Sequence, residues 1–230
     1  MRLSSWSRKM FTFVVLVLLS CASFANDALF RQARDHQRKG KYDEAISAFQ
    51  SYLTQPVDDD AMTDEVQALY IEALLQMMNT FQSKGAPDSC IIAMNRVYDA
   101  SPVLQKYCQR DYYSILGYAL SRTEDMQAAE ETMLKALTMP LYHPTPQRYF
   151  RDYAYAAAVF YSKPDYLEDV ISWCEEAMLQ EEKCKNTSGE QWVSAMLGSL
   201  YKRNGRLNDA LVLFQQSREE SLQRNDTLGV

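Results

Sequence analysis

The chain has 230 residues, 47% of them hydrophobic, and contains only seven glycines and seven prolines. This composition is sufficient for a packed core and excludes a low-complexity or collagen-like chain. The formal net charge is −6, with 30 acidic and 24 basic side chains, so the surplus of lysine and arginine that drives nonspecific nucleic-acid binding is absent.

The first 25 residues have the pattern of an export signal. A basic start that includes Arg2 and Arg8 precedes an apolar run over residues 10–19, and Ala25 ends a small-x-small motif. The run is about half as long as the roughly 20 residues of a spanning helix, which favours cleavage over an uncleaved anchor. Residues 18–21 are also similar to a bacterial lipoprotein signal, which would make Cys21 a lipid attachment site. Cleavage after Ala25 and lipidation of Cys21 both predict an exported protein, periplasmic or outer-membrane-associated in a bacterium.

Removal of this leader makes the remaining chain more acidic. It then carries 21 basic and 30 acidic side chains, a net charge of −9. No later apolar stretch is long enough to cross a bilayer. Membrane contact is therefore predicted only through a lipid on Cys21.

Apolar residues three and four positions apart predict helices along the rest of the chain, and no alternating strand pattern competes with them. The turn residues divide these helices into five predicted hairpins, at about residues 27–56, 60–102, 104–140, 145–182 and 188–223. Asp88 is placed to cap the second helix of the second hairpin, and Pro102 to end it. The acidic run 58–60 is interpreted as a loop with an N-capping aspartate rather than a cation site.

A small or medium-sized residue recurs at one equivalent place in the second helix of each hairpin. The five residues are separated by 45, 39, 41 and 40 positions and are Ala45, Cys90, Ala129, Val170 and Ala210. Such residues allow the two helix backbones of a hairpin to approach closely. Gly205 lies between the helices of the last hairpin, where a left-handed backbone favours glycine.

The last hairpin contains the most complete motif. It combines Leu197-Gly198, Tyr201, the turn residue Gly205, and Ala210 four positions before Phe214. This pattern resembles the tetratricopeptide repeat (TPR), and the segment from Gly40 to Phe49 is also close to the family consensus, although the 34-residue repeat of the family is shorter. The resemblance implies an all-α fold, a TPR-like right-handed α-solenoid of about five helical hairpins that forms a single domain over residues 26–230.

The family usually binds its partners on a concave face that is lined by the first helix of each hairpin. The resemblance therefore implies a partner-binding groove whose candidate residues are Arg34, Asn79, Tyr118, Arg122, Tyr155, Trp192 and Arg203. Aromatic and basic residues together would suit a protein or peptide with apolar anchors and some acid. Two alternatives remain open: arginines in the last turn of a helix complement its dipole, and the aromatic residues could pack between neighbouring hairpins.

Little in the sequence indicates catalysis. The only histidines, His36 and His143, lie in different parts of the predicted solenoid, and there is no phosphate-binding glycine loop or nucleophile elbow. We therefore expect a non-enzymatic protein without a metal or cofactor. We expect free cysteines that act as small hydrophobic residues, because Cys90 and Cys174 occupy predicted core places. If a disulfide forms in this exported chain, Cys108 and Cys184, which lie near hairpin ends, are the pair better placed for it.

The function predicted first is a scaffold of the cell envelope that binds a protein or peptide. The alternative is a periplasmic sensory region that resembles the TPR ectodomains of bacterial two-component histidine kinases. No capping helix follows the last hairpin, so Leu211 and Leu213 are expected to face an open end. Self-association, partner docking and continuation into a longer protein are three explanations for such an end.

Overall fold

The computed structural model describes residues 28–184 and 190–223. All regular structure in these two ranges is helical, which confirms the predicted all-α fold. The predicted leader, Cys21, the loop before the last hairpin and the side chain of Cys184 lie outside the described part. The chain forms two compact units, of which unit 1 ends at Lys106 and unit 2 begins at Tyr107.

Unit 1 contains two helical hairpins and a short fifth helix. Its helices are α1 (28–38), α2 (Tyr42–Leu53), α3 (Asp64–Lys84), α4 (Pro87–Ala100) and α5 (Pro102–Lys106), with a 3-10 turn at Asp59–Ala61. Thr63 caps α3, because its side chain accepts a hydrogen bond from the Val66 amide. Gly85 ends α3 with φ +70°, the left-handed conformation that glycine adopts without strain.

One predicted detail of unit 1 is wrong. Asp88 does not cap α4; the cap position belongs to Ala86, and Pro87 starts the helix. Helix α4 ends at Ala100, before Pro102 as predicted, but Pro102 also starts α5, which the sequence pattern did not predict. The hydroxyl of Ser101 accepts from the Leu104 amide at 3.4 Å and begins this extra turn, since proline at a first helical position has a suitable φ and needs no donor.

Unit 2 contains three hairpins. Their helices are α6 (Gln109–Leu120), α7 (Met126–Thr138), α8 (Pro146–Phe160), α9 (Leu167–Cys184), α10 (Glu190–Arg203) and α11 (Leu207–Gln223), with a 3-10 turn at Pro164–Tyr166. Asp125 and Thr145 cap α7 and α8 by accepting hydrogen bonds from backbone amides. Gly205 has φ +77°, so the left-handed turn predicted there is confirmed.

The recurring places in the second helices are all buried. Ala45, Cys90, Ala129, Val170 and Ala210 are each at most 4% exposed. On the facing helix of the third hairpin, an added Cβ at Gly117 would lie 3.1 Å from the Met133 backbone nitrogen and 3.3 Å from the Ala129 carbonyl oxygen. The backbones of α6 and α7 are therefore in close contact, as the small residues predicted.

The core of unit 2 extends from the third hairpin to the last. It includes Met133 of α7, Phe160 of α8, Cys174 of α9 and Leu200 of α10. Among the described residues, no helix is both long enough and apolar enough to cross a membrane.

Candidate functional site: the first-helix face of unit 2

Helices α6 and α8, the first helices of two successive hairpins, pack against each other in a constant register. Asp111 contacts Arg148 and Tyr118 contacts Tyr155, and each pair is separated by 37 positions. Within each helix, the charged residue precedes the tyrosine by seven positions, or two helical turns. The two helices thus share a seam that is ionic at one end and aromatic at the other.

The ionic end is a network of five side chains, four of them buried and the fifth, Arg110, 10% exposed. It consists of Arg110 and Asp111 of α6 with Arg148, Arg151 and Asp152 of α8, and both aspartates are fully buried.

Each of the two helices has an aspartate that accepts hydrogen bonds from an arginine of the other helix. Asp111 of α6 accepts from Arg148 and Arg151, with Arg148 Nε at 2.9 Å from Oδ1. Asp152 of α8 accepts from Arg110 Nε at 2.7 Å and from Arg151 Nη2 at 3.3 Å. Charged side chains that are this well buried are found almost only when they are paired and hydrogen-bonded, as these are.

Carbonyl oxygens from the α7–α8 connection accept hydrogen bonds from two of the three guanidinium groups. Arg110 Nη1 donates to the Met139 carbonyl at 2.7 Å, and Arg148 Nη1 donates to the His143 carbonyl at 2.9 Å. Burial would lower the pKa of Arg151, but the adjacent Asp111 and Asp152 raise it above its ordinary value. Arg151 is therefore charged at every accessible pH.

The aromatic end is a stacked tyrosine pair. The rings of Tyr118 and Tyr155 have centroids 4.2 Å apart and planes inclined by 8°. Both are partly buried against the core of unit 2, and the guanidinium carbon of Arg122 lies 5.9 Å from the Tyr118 centroid. The contact between the rings agrees with predicted packing between neighbouring hairpins, and their remaining exposed surface is still available for a partner.

Helix α10 contributes one anchored cation and one exposed aromatic ring. Arg203 Nη1 donates to the Tyr161 carbonyl at 2.7 Å, and its guanidinium carbon lies 5.4 Å from the centroid of the Tyr161 ring. Trp192, in the first turn of α10, is 40% exposed. Across the described ranges, neither Arg122 nor Arg203 has a carboxylate within ion-pair distance, whereas Lys163 is paired with Glu130 at 2.6 Å.

In unit 1 the candidate residues have a different environment. Arg34 of α1 donates to Glu72 of α3 at 2.9 Å, and Asn79 of α3 is exposed. Phe30 packs against Phe49 and Tyr52 rather than lining a groove.

The structure thus brings Tyr118, Tyr155 and Arg122 together in unit 2. Arg203 lies against the end of α8, and Trp192 makes no ring contact or hydrogen bond with the residues that the structure describes. Val159, one helical turn after Tyr155, is buried in the core and does not line a groove. Sequence reasoning missed the ionic network, although one signal was available: Asp111 and Arg148 each precede a groove tyrosine by seven positions.

The remaining candidate groups are possible metal ligands and the cysteine thiols. Within the described residues, no group of three or more histidine, cysteine or acidic side chains could hold a metal ion. Cys90, Cys108 and Cys174 are free and buried, and burial is the main cause that raises the pKa of each thiol to about 12. Cys108, one member of the pair considered for a disulfide, is thus an unpaired core thiol.

Helix α11 has an exposed apolar stripe. Leu207, Leu211 and Phe214, spaced four and three positions apart, are 63%, 56% and 40% exposed. Leu213 is partly buried against the core, so the expectation that it faces outward is wrong. Self-association through this helix stays a prediction.

Two segments of the chain match profiles of a known repeat family. Profiles described as "Tetratricopeptide repeat" match residues 27–56 and 111–141, which are the first and third hairpins. No curated protein sequence matches the chain.

Solved structures are similar over most of the chain. BtubC from P. vanneervenii has a TM-score of 0.59 at 16% identity, covering 84% of this chain and 78% of that protein. A thermophilic TPR protein from Thermus thermophilus, TTC0263, has a TM-score of 0.52 at 19% identity, covering 87% and 94%. MamA has a TM-score of 0.51 at 18% identity, covering 88% and 94%. At these identities the similarity concerns the fold alone.

Proposed function

Because the chain belongs to the tetratricopeptide-repeat family, whose fold generally mediates protein–protein interaction, we propose that it is a non-enzymatic scaffold. Unit 2 binds a protein or peptide along its first helices, with the tyrosine pair as the anchor point. The single observation that carries this proposal is the partly exposed stack of Tyr118 and Tyr155 beside Arg122, a rigid aromatic surface next to an unpaired cation. Tyrosine, tryptophan and arginine are the residue types that dominate binding energy at protein interfaces.

The charge of the site defines the partner's chemistry. Arg122 and Arg203 have no acidic partner within the described residues, although the chain as a whole is acidic. A partner with apolar or aromatic anchors and nearby carboxylates would complement both features. The leader sequence supports a location in the cell envelope, and this part of the proposal depends on the sequence alone.

Photo-cross-linking in intact cells tests where the partner binds. A photoreactive phenylalanine analogue replaces Trp192 on α10 in one variant and Leu179 on α9 in a matched variant; the two side chains are 40% and 46% exposed. We expect cross-links to a discrete partner from position 192 and none from position 179. Equal cross-linking from both positions, or cross-linking only from position 179, would contradict a first-helix site.

The affinity for the cross-linked partner then tests whether the aromatic side chains contribute to binding. The double substitution Tyr118→Ala and Trp192→Ala should weaken binding by at least about tenfold, since a hot-spot aromatic residue contributes about 2 kcal/mol or more. The control, Leu134→Ala with Leu179→Ala, removes exposed apolar side chains from second helices and should change affinity by less than about threefold. A folded Tyr118/Trp192 variant with unchanged affinity would contradict the proposal.

The exposed stripe of α11 favours a second candidate function. Further chain packed on Leu207 and Leu211 would fit the sensory region of a signalling protein. The mass of the native protein, detected by antibody in its own cells, separates the candidates: a kinase-sized band would support the sensory region, and a band near the 26.5 kDa of this chain would support the scaffold.

A further inference from the structure

The α6–α8 seam contains a layer between its ionic and aromatic ends. The 37-position register that pairs Asp111 with Arg148 and Tyr118 with Tyr155 places Ser114 opposite Arg151. Ser114 is fully buried and Arg151 is 8% exposed. The middle layer of the seam therefore contains Ser114 and Arg151, and the guanidinium group of Arg151 extends to the ionic end, where it donates to Asp111 and Asp152.

Both residues of this layer have a buried donor atom without a partner. The hydroxyl oxygen of Ser114 and Nε of Arg151 have essentially no exposed surface and make no hydrogen bond within the described part of the chain. An unsatisfied buried donor typically costs about 1–3 kcal/mol, and more when it is charged. Two such donors in one layer indicate that an acceptor belongs between them.

The charge of the surrounding network favours an anionic acceptor. Three guanidinium groups are joined to two carboxylates, so the five side chains carry a net charge of +1. Asp111 and Asp152 are already engaged, and the carbonyls of Met139 and His143 satisfy Arg110 and Arg148. Arg151 is paired with both carboxylates through Nη2, so the donor of this network that lacks a partner within the described residues is Nε of Arg151.

We propose that a single halide ion, chloride under physiological conditions, binds between α6 and α8 and accepts hydrogen bonds from Ser114 and Arg151. A carboxylate of a peptide partner cannot reach these atoms, because neither has exposed surface. A monoatomic anion neutralises the excess charge and accepts from both donors. The site lies one helical turn from the tyrosine pair, so the ion stabilises the contact that holds Tyr118 against Tyr155. This inference does not depend on the proposed function.

Anion-dependent thermal unfolding tests the site in the full chain. Sodium chloride is exchanged for sodium gluconate at constant ionic strength, and the melting temperature is recorded against chloride concentration. We expect a saturable increase with chloride or bromide, because a ligand that binds only the native state stabilises it by mass action. Ser114→Ala removes one donor and should raise the apparent halide Kd about fivefold. The control is Ser199→Ala, because the Ser199 hydroxyl already donates to the Ala195 carbonyl on α10. This variant should leave the halide Kd unchanged.

A second measurement locates the ion directly. Anomalous diffraction from a crystal grown with bromide should show a peak between Ser114 Oγ and Arg151 Nε. Absence of a bromide peak there, with a water molecule in its place, would overturn the proposal. So would a melting temperature that depends only on ionic strength, or a Ser114→Ala variant whose halide response equals that of the wild type.

Discussion

The two units use different chemistry for the same structural contact between successive first helices. In unit 1, Arg34 of α1 pairs with Glu72 of α3 at 2.9 Å, and Gln37 donates to the Thr80 hydroxyl at 3.0 Å. In unit 2, the equivalent contact between α6 and α8 contains fully buried aspartates. Partly buried polar contacts join the first helices of unit 1, whereas a fully buried ionic network joins α6 and α8 of unit 2.

This difference shows that burial decides what a polar contact contributes. The side chains of Arg34 and Glu72 are 32% and 41% exposed, so water screens this pair and its contribution to stability is small. The Asp111 and Asp152 pairs are closed off from water, where a complete network stabilises one arrangement and an incomplete one is strongly destabilising. We therefore expect unit 2 to depend on a few side chains that have no counterpart in unit 1.

The largest expected effect is the loss of Asp111. Asp111→Ala leaves Arg148 and Arg151 without their shared carboxylate and should lower the free energy of unfolding of unit 2 by about 3–5 kcal/mol. Urea unfolding followed by tryptophan fluorescence measures this, because Trp173 and Trp192 lie in unit 2. A loss below about 1 kcal/mol would mean that the network contributes no more than a surface pair.

The next largest expected effect distinguishes a glycine that contacts backbone atoms from one that contacts a side chain within unit 2. Gly117→Ala places a Cβ 3.1 Å from the Met133 backbone and should cost about 1–3 kcal/mol, because α6 and α7 must move apart. At Gly198 the three atoms nearest to the added Cβ all belong to the ring of Phe214, the first at 2.7 Å, and this side chain is 40% exposed, so it has room to shift toward solvent. Alanine also favours helix by about 1 kcal/mol, so Gly198→Ala should be close to neutral. Equal losses in the two variants, measured by urea unfolding, would contradict this distinction.

In unit 1 the matched ionic substitution should have a small effect. Glu72→Ala removes the partner of Arg34. Because both side chains of the native pair are in contact with water, the free energy of unfolding should fall by at most about 1 kcal/mol. The measurement is the same urea unfolding, followed here by hydrogen exchange of α1 and α3 amides. A loss as large as that of Asp111→Ala would remove the proposed difference between the units.

The thiols should behave alike in both units and show no reaction in the native state. Cys90 of unit 1 and Cys108 and Cys174 of unit 2 should remain unmodified by N-ethylmaleimide at pH 8, and mass spectrometry of peptides assigns each site. The pKa of each native thiol is about 12, above the ordinary value of 9.0, so the thiols favour the folded state fully below pH 9. That contribution is lost progressively as the pH rises from 9 toward 12. Rapid labelling of any of the three before unfolding would contradict their burial.

The hairpins could be predicted because their signals are local and repeated. Spacing alone identified the five buried small-residue places and the turn at Gly205. Helix α5 was missed because proline marks both the end and the start of helices, and only the contact of Ser101 with Leu104 decides between them. The helix cap assigned to Asp88 was wrong because Pro87 takes the first helical position and moves the boundary.

The site was only partly predictable. Tyr118, Tyr155 and Arg122 follow from the repeat register, since first-helix positions recur with the hairpins. Asp111 and Arg148 carry charges, and charged residues in amphipathic helices normally lie at the surface. Their burial depends on the pairing of α6 with α8, which no local pattern specifies.

Hydrogen–deuterium exchange of the chain, alone and bound to its cross-linked partner, tests the central claim most directly. We expect the partner to protect amides of α6, α8 and α10 around Tyr118, Tyr155 and Trp192, while α7 and α9 exchange as in the free protein. Protection confined to α7, α9 or α11 would contradict a partner-binding site on the first helices of unit 2.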